Sequence, residues 1–252
     1  MTTSDPNDDG YLDEKSVRDE LTRTFDVCGS CRRCVEHCAV FPALFERLDR
    51  LGDAGRMTSA EQDHLVDGCF HCEVCAVDCP YTPARHELAI DVPRSMLRAD
   101  AMRVASGQFP RHRRRTTRIL ERTNLLATMP FARRIAASPE GSTLRRIVQR
   151  LTGISASRPL PSPADHRFGA WFAARGERSV ASSRHVTVVP TCLVEHRAPQ
   201  IGADLVRVLE RNGVECSVSA TGCCGAPLLF GGEVARFAKT AERNVRTLAA
   251  EV

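Results

Sequence analysis

Eight cysteines fall in two runs of one spacing. They are Cys28-x-x-Cys31-x-x-Cys34-x-x-x-Cys38 and Cys69-x-x-Cys72-x-x-Cys75-x-x-x-Cys79, the second followed by Pro80. A thiolate is a soft anionic ligand, and a two-residue gap turns the chain enough to present consecutive thiolates to the corners of one cluster. This spacing sends three cysteines of a run to one iron–sulfur cubane and the fourth to another. By that crossing rule Cys28, Cys31, Cys34 and Cys79 hold one [4Fe-4S] cluster. Cys69, Cys72, Cys75 and Cys38 hold the second. Zinc is the alternative, but it takes four ligands and usually two CxxC pairs, so two complete four-cysteine runs fit it poorly. Ala39 stands where the first run would carry a proline, which leaves the ligand count intact.

Four more cysteines lie far downstream. Cys192 follows the apolar run VTVVP (186–190), and Cys223-Cys224 precede Gly225. A vicinal pair can bridge metals; packing as two small apolar residues is the alternative. Cys216 lies inside an apolar run and reads as core. His37, His64, His71 and His86 lie near the first two runs and read as solvated or hydrogen-bonded rather than as ligands.

The whole chain limits what these residues can do. It has 252 residues, 42% hydrophobic and 26% charged, which describes a folded chain rather than a disordered one. The net charge of +4 does not demand a nucleic-acid partner. No apolar run is long enough to span a membrane. The first twenty residues carry seven acids and no apolar stretch, which excludes a secretory signal. The expected location is the cytoplasm, with any membrane contact peripheral, at the inner face. Twelve cysteines in that reducing compartment point to metal ligands or redox thiols rather than disulfides. No Rossmann glycine fingerprint or Walker loop offers a site for NAD, flavin or ATP.

The elements that position the cysteines follow from periodicity. Residues 1–20 read as a flexible acidic tail and 21–105 as an all-helical ferredoxin domain. Within the latter, Phe41, Leu44, Phe45, Leu48 and Leu51 mark one helix face, with Pro42 in its first turn and Gly52 as its stop. Thr58-x-x-Glu61 and Ser59-x-x-Gln62 both read as capping boxes for a short helix through Leu65 and Val66. Pro93 opens a helix carrying Leu97, Ala101 and Val104. Val35, Val40, Phe41, Phe70, Val74, Val77 and Tyr81 are expected to shield the clusters from water.

Residues 106–178 read as an arginine-rich helical connector. Twelve arginines between Arg103 and Arg150 face two acids, Glu121 and Glu140. Recurring apolar residues there (Ile119, Leu125, Leu126, Ile135, Leu144, Ile147, Val148, Leu151) suggest short helices, and Pro159, Pro161 and Pro163 then break structure. A solvated linker is the plain reading of this segment; docking to an acidic partner or an anionic membrane is the alternative. Too few aromatics interleave for nucleic-acid stacking, so no nucleic acid is expected.

Residues 179–252 alternate strand and helix. Residues 186–190 and 214–218 read as parallel strands, separated by a helix over 198–212 with Ile201, Leu205, Val208 and Leu209 inward. Val234, Phe237, Ala238, Ala241, Val245 and Leu248 mark one face of a last helix. Cys192 and the Gly222–Gly225 loop lie just past the strand ends, where such sheets place ligands. The fold class is thus α plus α/β.

Both cubane runs, the phrase CFHCEVCAVDCPYTP (69–83), PTCLVEH (190–196) and GCCGAP (222–227) together resemble the heterodisulfide-reductase-related iron–sulfur family. The resemblance covers about residues 21–252. It implies a two-cluster helical ferredoxin domain followed by cysteine-rich (CCG) domains. Each of these adds a closing CxxC to cysteines like Cys192, Cys223 and Cys224. The sequence runs only 28 residues past Cys224, so the expected CCG domain is partial and C-terminally truncated. Cys192, Cys223 and Cys224 are then additional ligands, for a non-cubane cluster, only if a partner chain completes the site.

The function this implies is electron relay, with no catalytic residue in this chain. Electrons would pass from a flavin dehydrogenase subunit, acting on glycerol-3-phosphate or a similar substrate, through two [4Fe-4S] clusters toward the quinone pool. The chain is then an electron-transfer subunit of an oxidoreductase complex rather than its catalytic subunit. The alternative is a heterodisulfide-reductase-type catalytic subunit using the CCG cysteines.

Overall fold

Asp13 accepts a hydrogen bond from the Ser16 backbone N–H and so starts helix α1, Glu14–Cys31. The structure, a computed structural model, describes residues 5–121, 130–160, 162–176 and 184–251. The start of α1 corrects the expected acidic tail. Asp13 caps this helix, Glu14 and Asp19 lie on its outer face, and Glu20 is buried beside the inner face that carries Val17, Leu21 and Phe25. A run of charges hid three apolar residues at helical spacing. Met1–Ser4 of that tail lie outside the described residues.

The chain divides into two units. The first is residues 1–109 with a short return segment, 229–234. Its elements are α1, α2 (Val40–Leu51), one 3-10 turn (Ala54–Arg56), α3 (Ser59–Asp67), α4 (Val74–Asp78) and α5 (Val92–Ala105). No strand occurs in this unit among the described residues. Phe41, Leu44, Phe45 and Leu48 of α2 meet the inner face of α1, together with Leu65, Val66, Ile90, Met96 and Met102. Burying each of these large side chains stabilises the unit by about 1.5–3 kcal/mol.

Of the two capping boxes read in the sequence, one forms. Thr58 accepts from the Glu61 N–H, and the Glu61 carboxylate accepts from the Thr58 N–H. Ser59 is already inside the helix, because only one residue can hold the extended backbone of a cap. Buried arginines tie the elements together. Arg98 donates to the carbonyls of Tyr11 (2.7 Å) and Gly10 (2.8 Å). Arg103 pairs with Asp67 at 2.9 Å and with Asp63 and Asp100 at 3.5 Å each.

The second unit spans 110–228 and 235–252. It opens with α6 (Arg111–Glu121), α7 (Pro130–Ala137) and α8 (Thr143–Thr152), the last capped by Ser142 and closed by Gly153 in the left-handed region. Thr116 of α6 donates to the Thr152 carbonyl of α8. The expected helix positions Leu125 and Leu126, the break at Pro161, the boundary at 178/179 and the terminal Val252 lie outside the described residues.

An α/β layer follows: α9 (Phe168–Ala174), β1 (His185–Val188), α10 (Cys192–His196), α11 (Pro199–Arg211), β2 (Glu215–Val218), α12 (Ala226–Leu229) and α13 (Val234–Glu251). The two strands pair in parallel, His185 opposite Glu215 and Val188 opposite Val218. Phe168, Val188, Val206 and Cys216 form the core of this layer.

Helix α11 keeps Leu209 against the core as expected but turns the other three expected positions outward. Ile201 and Val208 are each 58% exposed and Leu205 is nearly so, while Gly202, Ala203 and Val206 are buried. The reason is size. A Cβ on Gly202 would stand 2.7 Å from the Phe168 ring, so the small-residue face is the one that admits Phe168 and Val194. Helix α13 likewise buries no residue fully, and Val245 on its expected inner face is exposed.

Candidate metal centre

Two cavities in the first unit are ringed by thiols. Cys28 and Cys31 sit on the last turn of α1, which ends because Arg32 adopts a left-handed φ of 53° and returns its N–H to the Cys28 carbonyl at 2.8 Å. Cys34 follows in a turn, and Cys79 ends α4. These four, with Cys75, line a cavity walled by Phe41, Phe45, Tyr81 and Ile90. Cys38 precedes α2, Cys69 and Cys72 occupy the loop after α3, and Cys75 lies in α4. These line a second cavity with Phe41, His71, Val92 and Met96. The grouping in space is the crossed one: the last cysteine of each run stands with the first three of the other, and Cys75 borders both cavities.

The runs are braced against each other. His37 and Asp78, the neighbours of Cys38 and Cys79, pair at 2.9 Å. Arg85 donates to the Val77 and Cys79 carbonyls, at 3.0 Å each, and fixes the end of α4. Arg32, just past the end of α1, pairs with Asp49 of α2. Sequence reasoning missed these braces, since each joins residues far apart in the chain or in no recognised motif.

The thiols are crowded and dry. Burial, then the neighbouring Cys79, Cys34, Cys75 and Cys31, push the Cys28 thiol up to about 12. Burial, then Cys34, Cys69, Cys38 and Cys72, do the same to Cys75, also to about 12. Cys34 and Cys69 are raised for the same leading reason, burial. Thiolates so placed repel each other unless a cation stands among them, and a bound metal reverses that balance by deprotonating its thiol ligands outright. The donor set therefore fits iron–sulfur clusters, with sulfur ligands in a largely apolar wall. Among the described residues no three His, Cys, Asp or Glu side chains converge on a point that seats a single ion.

The expected shield is only half there. Val40 and Phe41 are buried, but Phe70 is 82% and Val77 69% exposed, and Val35 and Val74 are exposed too. They lie between cysteines on tight loops and on the single turn of α4. Phe70 and Val74 border the second cavity while staying largely open to solvent.

The second unit gathers three further thiols. Thr191 caps α10 by accepting from the Val194 N–H, which sets Cys192 in its first turn. Cys223 and Cys224 lie in the loop after β2, where Gly225 has φ +87° and Phe237 leaves no room for a Cβ. Asn244 of α13 donates to the Cys223 carbonyl at 2.9 Å. Cys192 is raised by burial and then by the nearby Cys224 and Cys223. Cys216 stays apart, packed in the core of the layer.

The comparisons with known proteins match the two parts of the chain in which these thiols lie. Residues 21–106 match the model of the Citrate utilization protein B Fer4-like domain, and residues 186–252 match the model of the Cysteine-rich domain (CCG). Over 234 residues, 89% of this chain, it is 24% identical to a subunit of the anaerobic glycerol-3-phosphate dehydrogenase of Escherichia coli K12. Over 77 residues, 31% of the chain, it is 39% identical to Citrate utilization protein B of Escherichia coli. Over 58 residues, 23% of the chain, it is 40% identical to a subunit of the fumarate reductase (CoM/CoB) of Methanothermobacter marburgensis. The chain spans 56%, 18% and 12% of the lengths of these relatives, respectively. No solved structure matches it. The resemblance carried by residues 69–83, 190–196 and 222–227 is borne out. The fold is a helical ferredoxin-like domain followed by a CCG domain with a small two-stranded parallel sheet.

Proposed function

We propose that this chain is an iron–sulfur electron-transfer subunit of an oxidoreductase complex. It takes electrons from a flavin dehydrogenase subunit, for glycerol-3-phosphate or a similar substrate, and passes them toward the quinone pool. The similarity to a glycerol-3-phosphate dehydrogenase subunit supports that partner. The single observation that carries the reading is the pair of adjacent cavities ringed by crossed cysteine sets. Two [4Fe-4S] clusters, when bound, supply one-electron transfer. Cys28, Cys31, Cys34 and Cys79 would hold one, and Cys38, Cys69, Cys72 and Cys75 the other.

The rest of the work belongs to the chain. Phe41 reaches both cavities and keeps water from the wall between them. Cys75 lines both, which gives the two sites a shared edge. Cys72 is exposed while the other seven cysteines of the runs are partly covered, so the second site opens outward there. No helix among the described residues is long and apolar enough to cross a membrane. Contact with a membrane-bound acceptor would then be peripheral or through a partner.

The test is a ligand substitution. Cys72→Ser is expected to lose roughly half of the iron and one of two cluster signals. Loss of neither would count against the ligand set.

A second reading is favoured by one observation, the nearness of Cys223 and Cys224 to Cys192. Three thiols are one short of a closed four-ligand site. A further cluster there would need at least one more ligand, and a heterodisulfide-reductase-type activity would depend on it. Cys224→Ser separates the readings: it leaves iron content and both cluster signals unchanged if the chain is a relay alone.

A further inference from the structure

The loop that carries two ligands of the second site has little to hold it. Residues 69–73 belong to no helix or strand, Phe70, Cys72 and Glu73 are exposed, and Cys69 is half-buried. His71 and Glu73, on either side of Cys72, both take a left-handed backbone, with φ of 52° and 61°. Such conformations in residues other than glycine cost on the order of 1–3 kcal/mol each and persist only where the surroundings impose them.

His71 is the one buried residue of the loop, its side chain 5% exposed. One face of its ring lies against Phe230, the centroids 5.5 Å apart and the planes 4° from parallel. Its Nε2 stands 3.5 Å from the fully buried Asp100 carboxylate, and Nδ1 has no hydrogen-bond partner among the described residues. Asp100 is itself held by Arg103. The return segment is seated just as closely. Gly232, with φ +70°, lies so near α5 that a Cβ would stand 2.7 Å from the Asp100 carbonyl carbon and oxygen.

We propose that Phe230, seated by Gly232, is a positioning residue for the second cluster site. It clamps the His71 ring against α5 and so holds Cys69 and Cys72 at their places on the cavity wall. This role rests on the cofactor reading above. The ferredoxin-like module would then lack a complete second site without a segment more than a hundred residues downstream. The first site depends on it less, since Cys28 and Cys31 sit on α1, Cys34 on the turn that Arg32 begins and Cys79 just past the end of α4.

The experiment uses the full chain, purified without oxygen, with Cys31→Ser and Cys72→Ser chains to assign the two cluster signals. Phe230→Ala is expected to weaken iron retention against a chelator at the second site by about tenfold or more, the range seen when groups supporting metal ligands are removed. Its low-temperature EPR signal should change, while the first cluster's signal and retention stay as they are. Phe230→Tyr, which keeps a flat ring, should restore both. Gly232→Ala provides a second route to the same selective loss if Phe230→Ala folds poorly. Equal retention at both sites in Phe230→Ala, or equal loss from both, would overturn the clamp. Absence of iron from the second site in the unmodified chain would overturn the clamp and the cofactor reading together, so the two failures are distinct.

Discussion

At the scale of single residues the chemistry rests on burial that holds titratable groups in their neutral form. The Cys28 and Cys75 thiols reach about 12 because they are dry and stand among other thiols. A metal among them would offset that burial by deprotonating the thiols, so their crowding fits a bound iron–sulfur group. His196 shows the same physics without a metal. Burial holds it below the ordinary histidine value of 6.5, with Arg167 and Arg197 pushing the same way and Glu195 opposing. The fold therefore favours neutral His196, and the unfolded chain takes up the proton first as pH falls. This contribution to stability is full above 6.5 and is lost as pH drops through that value toward the lower folded pKa. Thermal unfolding of the second unit should soften as pH falls from above to below that value, and His196→Leu should flatten that slope; parallel slopes in the two chains would exclude the role. The crossed grouping of the two cysteine runs about two cavities was legible because covalent spacing dictates which thiols reach one point. The roles of His71, His37 and Arg85 were not, since each depends on a residue brought near only by folding.

At the scale of elements, caps and face size decide what periodicity leaves open. Thr58 with Glu61 closes the start of α3, and Thr58→Ala should cost about 1 kcal/mol of first-unit stability, read as a lower denaturation midpoint. Helix α11 carries two apolar faces, and a sequence pattern cannot choose between them. Contact with Phe168 selects the small one, Gly202 and Ala203, and leaves Ile201, Leu205 and Val208 outward. Gly202→Ala should therefore destabilise the second unit by about 1–3 kcal/mol through overpacking, with iron content unchanged. A gain in stability, the usual result for glycine to alanine within a helix, would show that Phe168 yields. The start of α1 was hidden for a related reason: seven acids in the first twenty residues masked the apolar stripe of Val17, Leu21 and Phe25.

At the scale of the whole molecule, two domain types are joined in one chain, a ferredoxin-like module and a CCG domain. The parallel strand pair and its flanking helices were legible from the change of period after residue 185. The return of residues 229–234 to the first unit was not, because nothing in the LLFGGE stretch (228–233) announces where a glycine pair and a phenylalanine will pack. The central claim is that both thiol-lined cavities hold cubanes. The direct measurement is iron and acid-labile sulfide per chain after purification without oxygen, with low-temperature EPR of the reduced protein. About eight irons, matching sulfide and two interacting cubane spectra are the expected result. Zinc in place of iron, or iron without sulfide, would contradict the claim.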